Sequence, residues 1–189
     1  SKTASANTGQ PGGPPVPTIE PLELIPIEPD AAQKQNAAQP FFEGPITPAA
    51  PFAFSAADQQ RPLARDCLAA GAWYEAGDDA VGQSSVVQVI LNRVRHPAFP
   101  ADICAVVFQG SERTTGCQFS FTCDGSMTRR KPSPAAWLRA QSIAESALSG
   151  RVDPRVGVAT HYHTDWVVAY WSGEMEKLAK VGTHLFFRW

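Results

Sequence analysis

Residues 62–95 read PLARDCLAAGAWYEAGDDAVGQSSVVQVILNRVR, and the fold turns on this stretch. Leu68, Ala72 and Glu75 stand at i, i+4 and i+7, so they share one helix face. A helix is therefore predicted from Pro62 to Glu75, with proline in the first turn, where its missing N–H is tolerated. Gly77 supplies a stop, and Asp78 or Asp79 can cap the next start. Val86, Val87, Ile90, Leu91 and Val94 then form a broad apolar face at helical spacing, in a second helix that ends before His96-Pro97. Glu75 thus closes an apolar stripe, beside Trp73 and Tyr74.

Downstream, Ala101–Phe108 is predicted as a short third helix. Residues 110–125 are rich in Gly, Ser, Thr and Cys, with Gln118-Phe119-Ser120-Phe121 alternating as a strand would. They read as an irregular hairpin or loop, and that length points to a functional one. Ser133 as N-cap, Pro134 at the first helical position and Gly150 beyond the end frame a fourth helix. Its buried side is Trp137, Ala140, Ala144, Ala147 and Leu148. Two extended pieces, Val158–His163 and Thr183–Arg188, flank a polar loop holding Trp166 and Trp171. The fold class is α+β, mostly helical, with a small strand region.

Upstream the composition changes. Eleven of the 17 prolines precede residue 60, whereas all five tryptophans and all four cysteines follow it. The first 60 residues hold six acidic against two basic side chains. Such a segment buries too little apolar surface to offset its chain entropy. Residues 1–57 are therefore expected to be a disordered Pro/Ala-rich tether, and 58–189 the folded domain. Two patches of the tether, Leu22–Ile27 and Phe41-Phe42 with Phe52 and Phe54, are apolar enough to touch the chain's own domain or a partner.

The net charge of -2 and pI of about 6.1 argue against nucleic acid, which demands a basic face. No run of about 18 uninterrupted apolar residues is present to span a membrane. The chain opens Ser1-Lys2-Thr3, without the charged and apolar regions of a signal peptide. A start without Met together with a tether fits an exported chain trimmed of a signal or anchor. Cys67, Cys104, Cys117 and Cys123 are an even set without zinc-type CxxC pairs. The short 117–123 spacing suggests Cys117–Cys123 and Cys67–Cys104 disulfides, one of three possible pairings, and an oxidising envelope compartment, the periplasm.

Glu75 is the most informative polar residue. A carboxylate on a buried stripe costs several kcal/mol if ionised and unpaired, so it either finds partners or stays protonated. A protonated glutamate in an aromatic-walled cleft suits a general acid for glycosidic cleavage. The position by itself equally fits a structural glutamate paired with Arg93 or Arg95. His161 and His163 share one face at strand spacing, as two metal ligands would, but no third ligand stands at sensible spacing. A Cys–His hydrolase using Cys117 or Cys123 with His161 or His163 conflicts with the even cysteine count. Tyr162, Trp166, Tyr170 and Trp171 suit either sugar stacking or a core.

Several segments together resemble the SleB-type cell wall hydrolase family. They are Ala72-Trp73-Tyr74-Glu75-Ala76, residues 88–97 (QVILNRVRHP), Phe99-Pro100, Cys117-Gln118-Phe119-Ser120, residues 159–163 (ATHYH) and residues 182–188 (GTHLFFR). They follow the family's order across residues 63–188. The resemblance implies a lysozyme-like fold, similar to goose-type lysozymes and soluble lytic transglycosylases. It also implies cleavage of peptidoglycan between N-acetylmuramic acid and N-acetylglucosamine. Glu75 falls on the family's catalytic acid, Gln118 and Ser120 on its cleft-loop motif, and Tyr162 on the motif opposite, all three as substrate-positioning groups. Where many relatives carry Ala-Arg-x-Glu after the catalytic residue, this chain has the shorter Ala76-Gly77-Asp78-Asp79.

The implied mechanism is that of a lytic transglycosylase, with Glu75 first acid and then base, giving 1,6-anhydro-muramoyl ends. Lysozyme-like hydrolysis of the same bond is the alternative, and it needs a second carboxylate, for which Asp78, Asp79 and Asp124 are the candidates. A peptidoglycan-binding module without catalysis is the more distant alternative. The expected partner is the glycan strand; no metal, no cofactor and a monomeric state are expected.

Overall fold

The computed structural model describes residues 23–55, 60–112 and 117–189. Helix α2 (Arg61–Ala76) is the central rod, and it carries Pro62 in its first turn. It ends at Gly77, whose φ of 62° few other residues would adopt, with the Gly77 N–H donating to Trp73 O. The run Ala69-Ala70-Gly71-Ala72 is buried and small, which lets neighbouring helices approach closely. A Cβ on Gly71 would stand 2.8 Å from Ile90 Cδ1.

Helix α3 (Ala80–Arg95) starts where the Asp79 carboxylate accepts from Val81 N–H and stops before Pro97. It is buried nearly all round. Val86, Val87, Ile90 and Leu91 pack into the helical core with Leu68 and Ala72. Val89, on the other side, packs with Val156, Ala159, Leu178, Val181 and Phe186. The helix therefore joins two cores, and its polar residues face inward with partners: Asn92 Nδ2 donates to Gly157 O and Ala159 O.

Helix α4 (Ile103–Val107) is shorter than its predicted span, since Asp102 caps it by accepting from Ala105 N–H. A single turn, α5 (Ser126–Arg129), precedes α6 (Pro134–Leu148), whose Ser133 cap accepts from Ala136 N–H. The α6 alanines at 140, 144 and 147 are buried, as predicted.

Strands β1 (His161–Thr164), β2 (Glu176–Val181) and β3 (His184–Arg188) form an antiparallel sheet in the order β1-β3-β2. Tyr162 stands opposite Phe186 in its register. The sequence reading placed β2 within a loop. A register shift between Lys177 and Ala179 breaks its alternation, and Lys177 points inward, so no period-2 apolar pattern marks it. The alternating Gln118–Phe121 run forms no strand. It turns into a 3-10 helix at Ser120–Thr122, with Phe119 and Phe121 buried and Cys117–Cys123 closing the loop. The second expected disulfide, Cys67–Cys104, ties α2 to α4.

Residues 23–55 differ most from the sequence reading. The segment read as a free tether lies against the domain as an arm, and it contains helix α1 (Pro29–Ala38). Polar clamps do what apolar burial could not. Asn36 Nδ2 donates to Asp165 O (2.7 Å) and Val167 O (2.8 Å), and Lys177 Nζ donates to Asn36 O (2.8 Å) and Gln39 O (2.9 Å). Phe41, Phe42, Phe52 and Phe54 lie against Lys177, Arg188, Arg95 and Arg61 in cation–π contacts. The apolar patches therefore meet the chain's own domain, although Leu22 lies outside the described residues. Among the described residues, no helix is long and apolar enough to cross a membrane.

Asn36 tests this clamp. Asn36→Ala leaves two carbonyls of the 165–167 loop without their donor and is expected to cost about 2 kcal/mol. Chemical denaturation measures the loss, and limited proteolysis should cut the arm faster.

Candidate active site

One cleft gathers the end of α2, Arg93 of α3, the disulfide-closed 117–124 loop, β1 and the loop after it. Its volume is about 530 Å³, within the usual range of ligand sites. Glu75, Gln118, Ser120 and Tyr162 all line it. Four residues spread over nearly ninety positions of sequence are brought to one place.

Glu75 sits in the last turn of α2, beside Trp73 and Tyr74. Burial raises its carboxyl to a pKa of about 7. The Tyr162 hydroxyl and the Arg93 charge pull against that rise, while the negative charge of Asp124 adds to it. The pairing with Arg93 or Arg95 weighed from sequence is absent: Glu75 makes no ion pair among the described residues, and Arg95 instead donates to Ala50 O of the arm.

Arg93 is held back from Glu75 by its own partners. Its Nε donates to Thr160 O at 2.7 Å, and its guanidinium lies 4.9 Å from the Phe99 ring centre and 5.0 Å from that of Phe119. Nη1 reaches Gln118 Oε1 at 3.5 Å. Burial lowers its pKa to about 10, so it stays cationic at neutral pH. A fixed positive charge near a carboxyl, without a direct bond to it, limits the carboxyl's rise and favours its ionised form once the proton has left.

Tyr162 stands on β1 with its ring against His184 and Phe186. Its hydroxyl is buried and makes no hydrogen bond of good geometry, yet lies near enough to Glu75 to couple with it. Burial and the neighbouring carboxyl push it well above 10, so it remains a neutral donor. Gln118 is positioned by its bond with Arg93, and its backbone N–H donates to Gln109 O. Ser120 is exposed on the cleft loop.

The three candidate second carboxylates separate. Asp78 forms a surface ion pair with Arg139, and Asp79 caps α3. Asp124 lines the cleft and is held below the ordinary carboxylate range by its bonds with Ser126, so it is ionised.

His161 and His163 both face the cleft and pack against Trp171, with ring centres 4.9 and 5.6 Å away. Among the described residues no group of three His, Cys, Asp or Glu side chains is placed to hold a metal. Cys117 and Cys123 are bonded to each other, which removes the thiolate that a Cys–His hydrolase requires. Of the four late aromatics, Tyr162 and Trp171 line the cleft, while Trp166 and Tyr170 are exposed.

The sequence reading places neither His184 nor Leu24 in the cleft, and it weighs Arg93 only as an ion-pair partner and Trp171 only as a sugar-stacking or core aromatic; all four line the cleft. Arg93 left a signal, since an arginine set into an otherwise apolar helix face needs a buried reason. Leu24 left none, because nothing local ties it to cleft residues that stand 51 to 160 positions further along the chain.

A helical layer packed with a small antiparallel sheet, with the cleft between them, is the lysozyme-like class of fold. The family is set by comparison: the Cell Wall Hydrolase model matches residues 77–187, and the chain belongs to that family. The match begins just beyond Glu75. A spore cortex-lytic enzyme of Halalkalibacterium halodurans is 30% identical over 112 residues, which are 58% of this chain and 30% of that protein. The chain therefore spans less than a third of that relative's length. The catalytic domain of the Bacillus cereus SleB protein superposes with a TM-score of 0.54 at 24% identity, over 71% of this chain and all of that one. The catalytic domain of the germination-specific lytic transglycosylase SleB from Bacillus anthracis does so with the same TM-score and coverage at 26% identity.

Histidine burial sets an acid limit on this fold. Burial, with the Arg93 and His96 charges, depresses His161 from 6.5 to about 3. The unfolded chain then binds more protons than the folded one between those values, so His161's contribution is full above 6.5 and lost as pH falls through the window. The stability advantage of wild type over His161→Gln should shrink as pH drops from about 6.5 toward 3, as thermal unfolding across pH will show.

Proposed function

We propose that this domain cleaves the glycan strand of peptidoglycan between N-acetylmuramic acid and N-acetylglucosamine, as a lytic transglycosylase. The observation that carries the reading is Glu75, a carboxyl raised to about 7 that lines a cleft of about 530 Å³ together with Gln118, Ser120 and Tyr162. Family membership and the SleB relatives support the substrate class.

In the first step the protonated Glu75 donates to the bridging oxygen while the C1–O bond breaks, its electron pair passing to that oxygen. The sugar becomes oxocarbenium-like. The Glu75 carboxylate, favoured at this moment by Arg93 and the Tyr162 O–H, then takes the proton of the muramoyl C6 hydroxyl. The freed oxygen closes on C1. Glu75 is again protonated, no water has been consumed, and the product carries a 1,6-anhydro end. Gln118 and Ser120 hold the sugar from the loop side and Tyr162 from the sheet. The site of action is then the cell envelope, and two disulfides fit an oxidising compartment such as the periplasm.

Hydrolysis is the second reading, favoured by one observation: Asp124, ionised and lining the same cleft, can position a water or face the developing cation. Product mass separates the two, since anhydro ends are lighter by one water. Hydrolysis further requires that Asp124→Asn abolish cleavage, whereas transglycosylation tolerates it.

Glu75→Gln should lower digestion of purified sacculi by at least about a hundredfold, the usual scale of a lost general acid. Equal digestion by both forms removes the assignment. Wild-type activity should fall along an alkaline limb centred at about 7, where Glu75 loses its proton. Because the folded-state pKa lies above the unfolded value of 4.5, folding disfavours the ionised acid. Glu75→Gln should therefore gain stability over wild type as pH rises from 4.5 to about 7, measured by thermal unfolding.

A further inference from the structure

The arm reaches the cleft before it reaches the helical core. Ile25 N–H donates to Val168 O at 2.9 Å, Tyr170 N–H donates to Glu23 O at 2.9 Å, and Leu24 bridges Ala169 in antiparallel pairing. Val168 and Ala169 are buried, so the arm adds its strand to a packed stretch of the loop after β1. Val167 and Trp171, on either side, line the cleft that holds Glu75, and Leu24 lines it with them.

Leu24 is 49% exposed, and it belongs to none of the apolar cores. A leucine fixed by flanking backbone bonds at the edge of a cleft, yet half open to water, is poorly explained as packing. Further along the arm Asn36 grips the same loop at Asp165 O and Val167 O, and Lys177 of β2 holds the arm by donating to Asn36 O. The arm lies wholly outside residues 77–187, the region that the family model matches.

We propose that the arm is a working part of the substrate cleft. Leu24, with Val167 and Trp171, forms an apolar wall against which the C–H face of a sugar ring packs, and the strand pairing holds that wall in place. Sugar rings are amphipathic, with apolar faces that settle on aliphatic and aromatic side chains while polar groups fix their orientation. The wall acts on binding of the strand and takes no part in proton transfer. This inference rests on the cleavage reading above, and it makes a region outside the family's matched core a determinant of substrate affinity.

The test uses the whole chain with Leu24→Ala, Leu24→Met and Ile25→Pro, the last removing the N–H given to Val168 O. For suspended sacculi the apparent KM of Leu24→Ala should rise on the order of fivefold, the scale of a partly lost apolar contact. Its kcat and the position of its alkaline limb should stay as in wild type. Ile25→Pro should move KM in the same direction, and Leu24→Met should restore it. In the Glu75→Gln background, sedimentation with sacculi should show Leu24→Ala bound more weakly by a similar factor. Unchanged KM and unchanged sacculus binding overturn the proposal. So does a fall in kcat together with a lower melting temperature, which marks Leu24 as a structural prop. Cleavage by Glu75→Gln as fast as wild type would instead sink the catalytic reading, while the sedimentation comparison still judges Leu24.

Discussion

Everything at the cleft depends on one half-buried carboxyl being kept from a direct counter-charge. Glu75 ends an apolar helix face, and the nearest cation, Arg93, is committed elsewhere, to Thr160 O and the rings of Phe99 and Phe119. Had Arg93 formed a close ion pair, the carboxyl would be ionised at neutral pH and unable to donate. Had it been absent, nothing positive would stand near the conjugate base. The distance that Arg93 keeps sets Glu75 between these limits.

That distance is a property of α3. The helix is buried on all sides, with one face in the helical core and the other in the core beneath the sheet. Val89 and Val86 point to different cores, and Asn92 stitches the helix to Gly157 and Ala159, just before β1. Glu75 comes from the helical layer and Tyr162 from the sheet, so their mutual placement is transmitted through this one helix. The small residues of α2, from Ala69 to Ala72, allow the close approach that keeps the arrangement tight.

The arm illustrates how a proline-rich, weakly apolar segment can still be ordered. It brings little apolar area of its own, and α1 has no continuous apolar face. What fastens it are Asn36, Gln39 and the inward-turned Lys177, whose ammonium meets backbone carbonyls instead of a carboxylate. Each such bond contributes modestly, but leaving a buried lysine without them would be far more costly. Proline and glutamine counts report on average burial, whereas these bonds depend on which carbonyls lie opposite.

By itself the sequence determined the helices over 61–95 and 134–148, because these rest on local periodicity and capping. The even cysteine count and the short 117–123 spacing suggested the two disulfides that form. Periodicity singled out Glu75, while the family resemblance supplied its role as acid. The sequence also carried the ordered motifs that placed Gln118, Ser120 and Tyr162 beside that acid. Only the tertiary structure decided that the 23–55 segment packs, that Glu176–Val181 is a strand, and that Asp124, not Asp78 or Asp79, shares the cleft. Those outcomes depend on which groups meet across long sequence separations. An inward lysine, a bulged register or a half-exposed leucine has no local signature until its partner is in place.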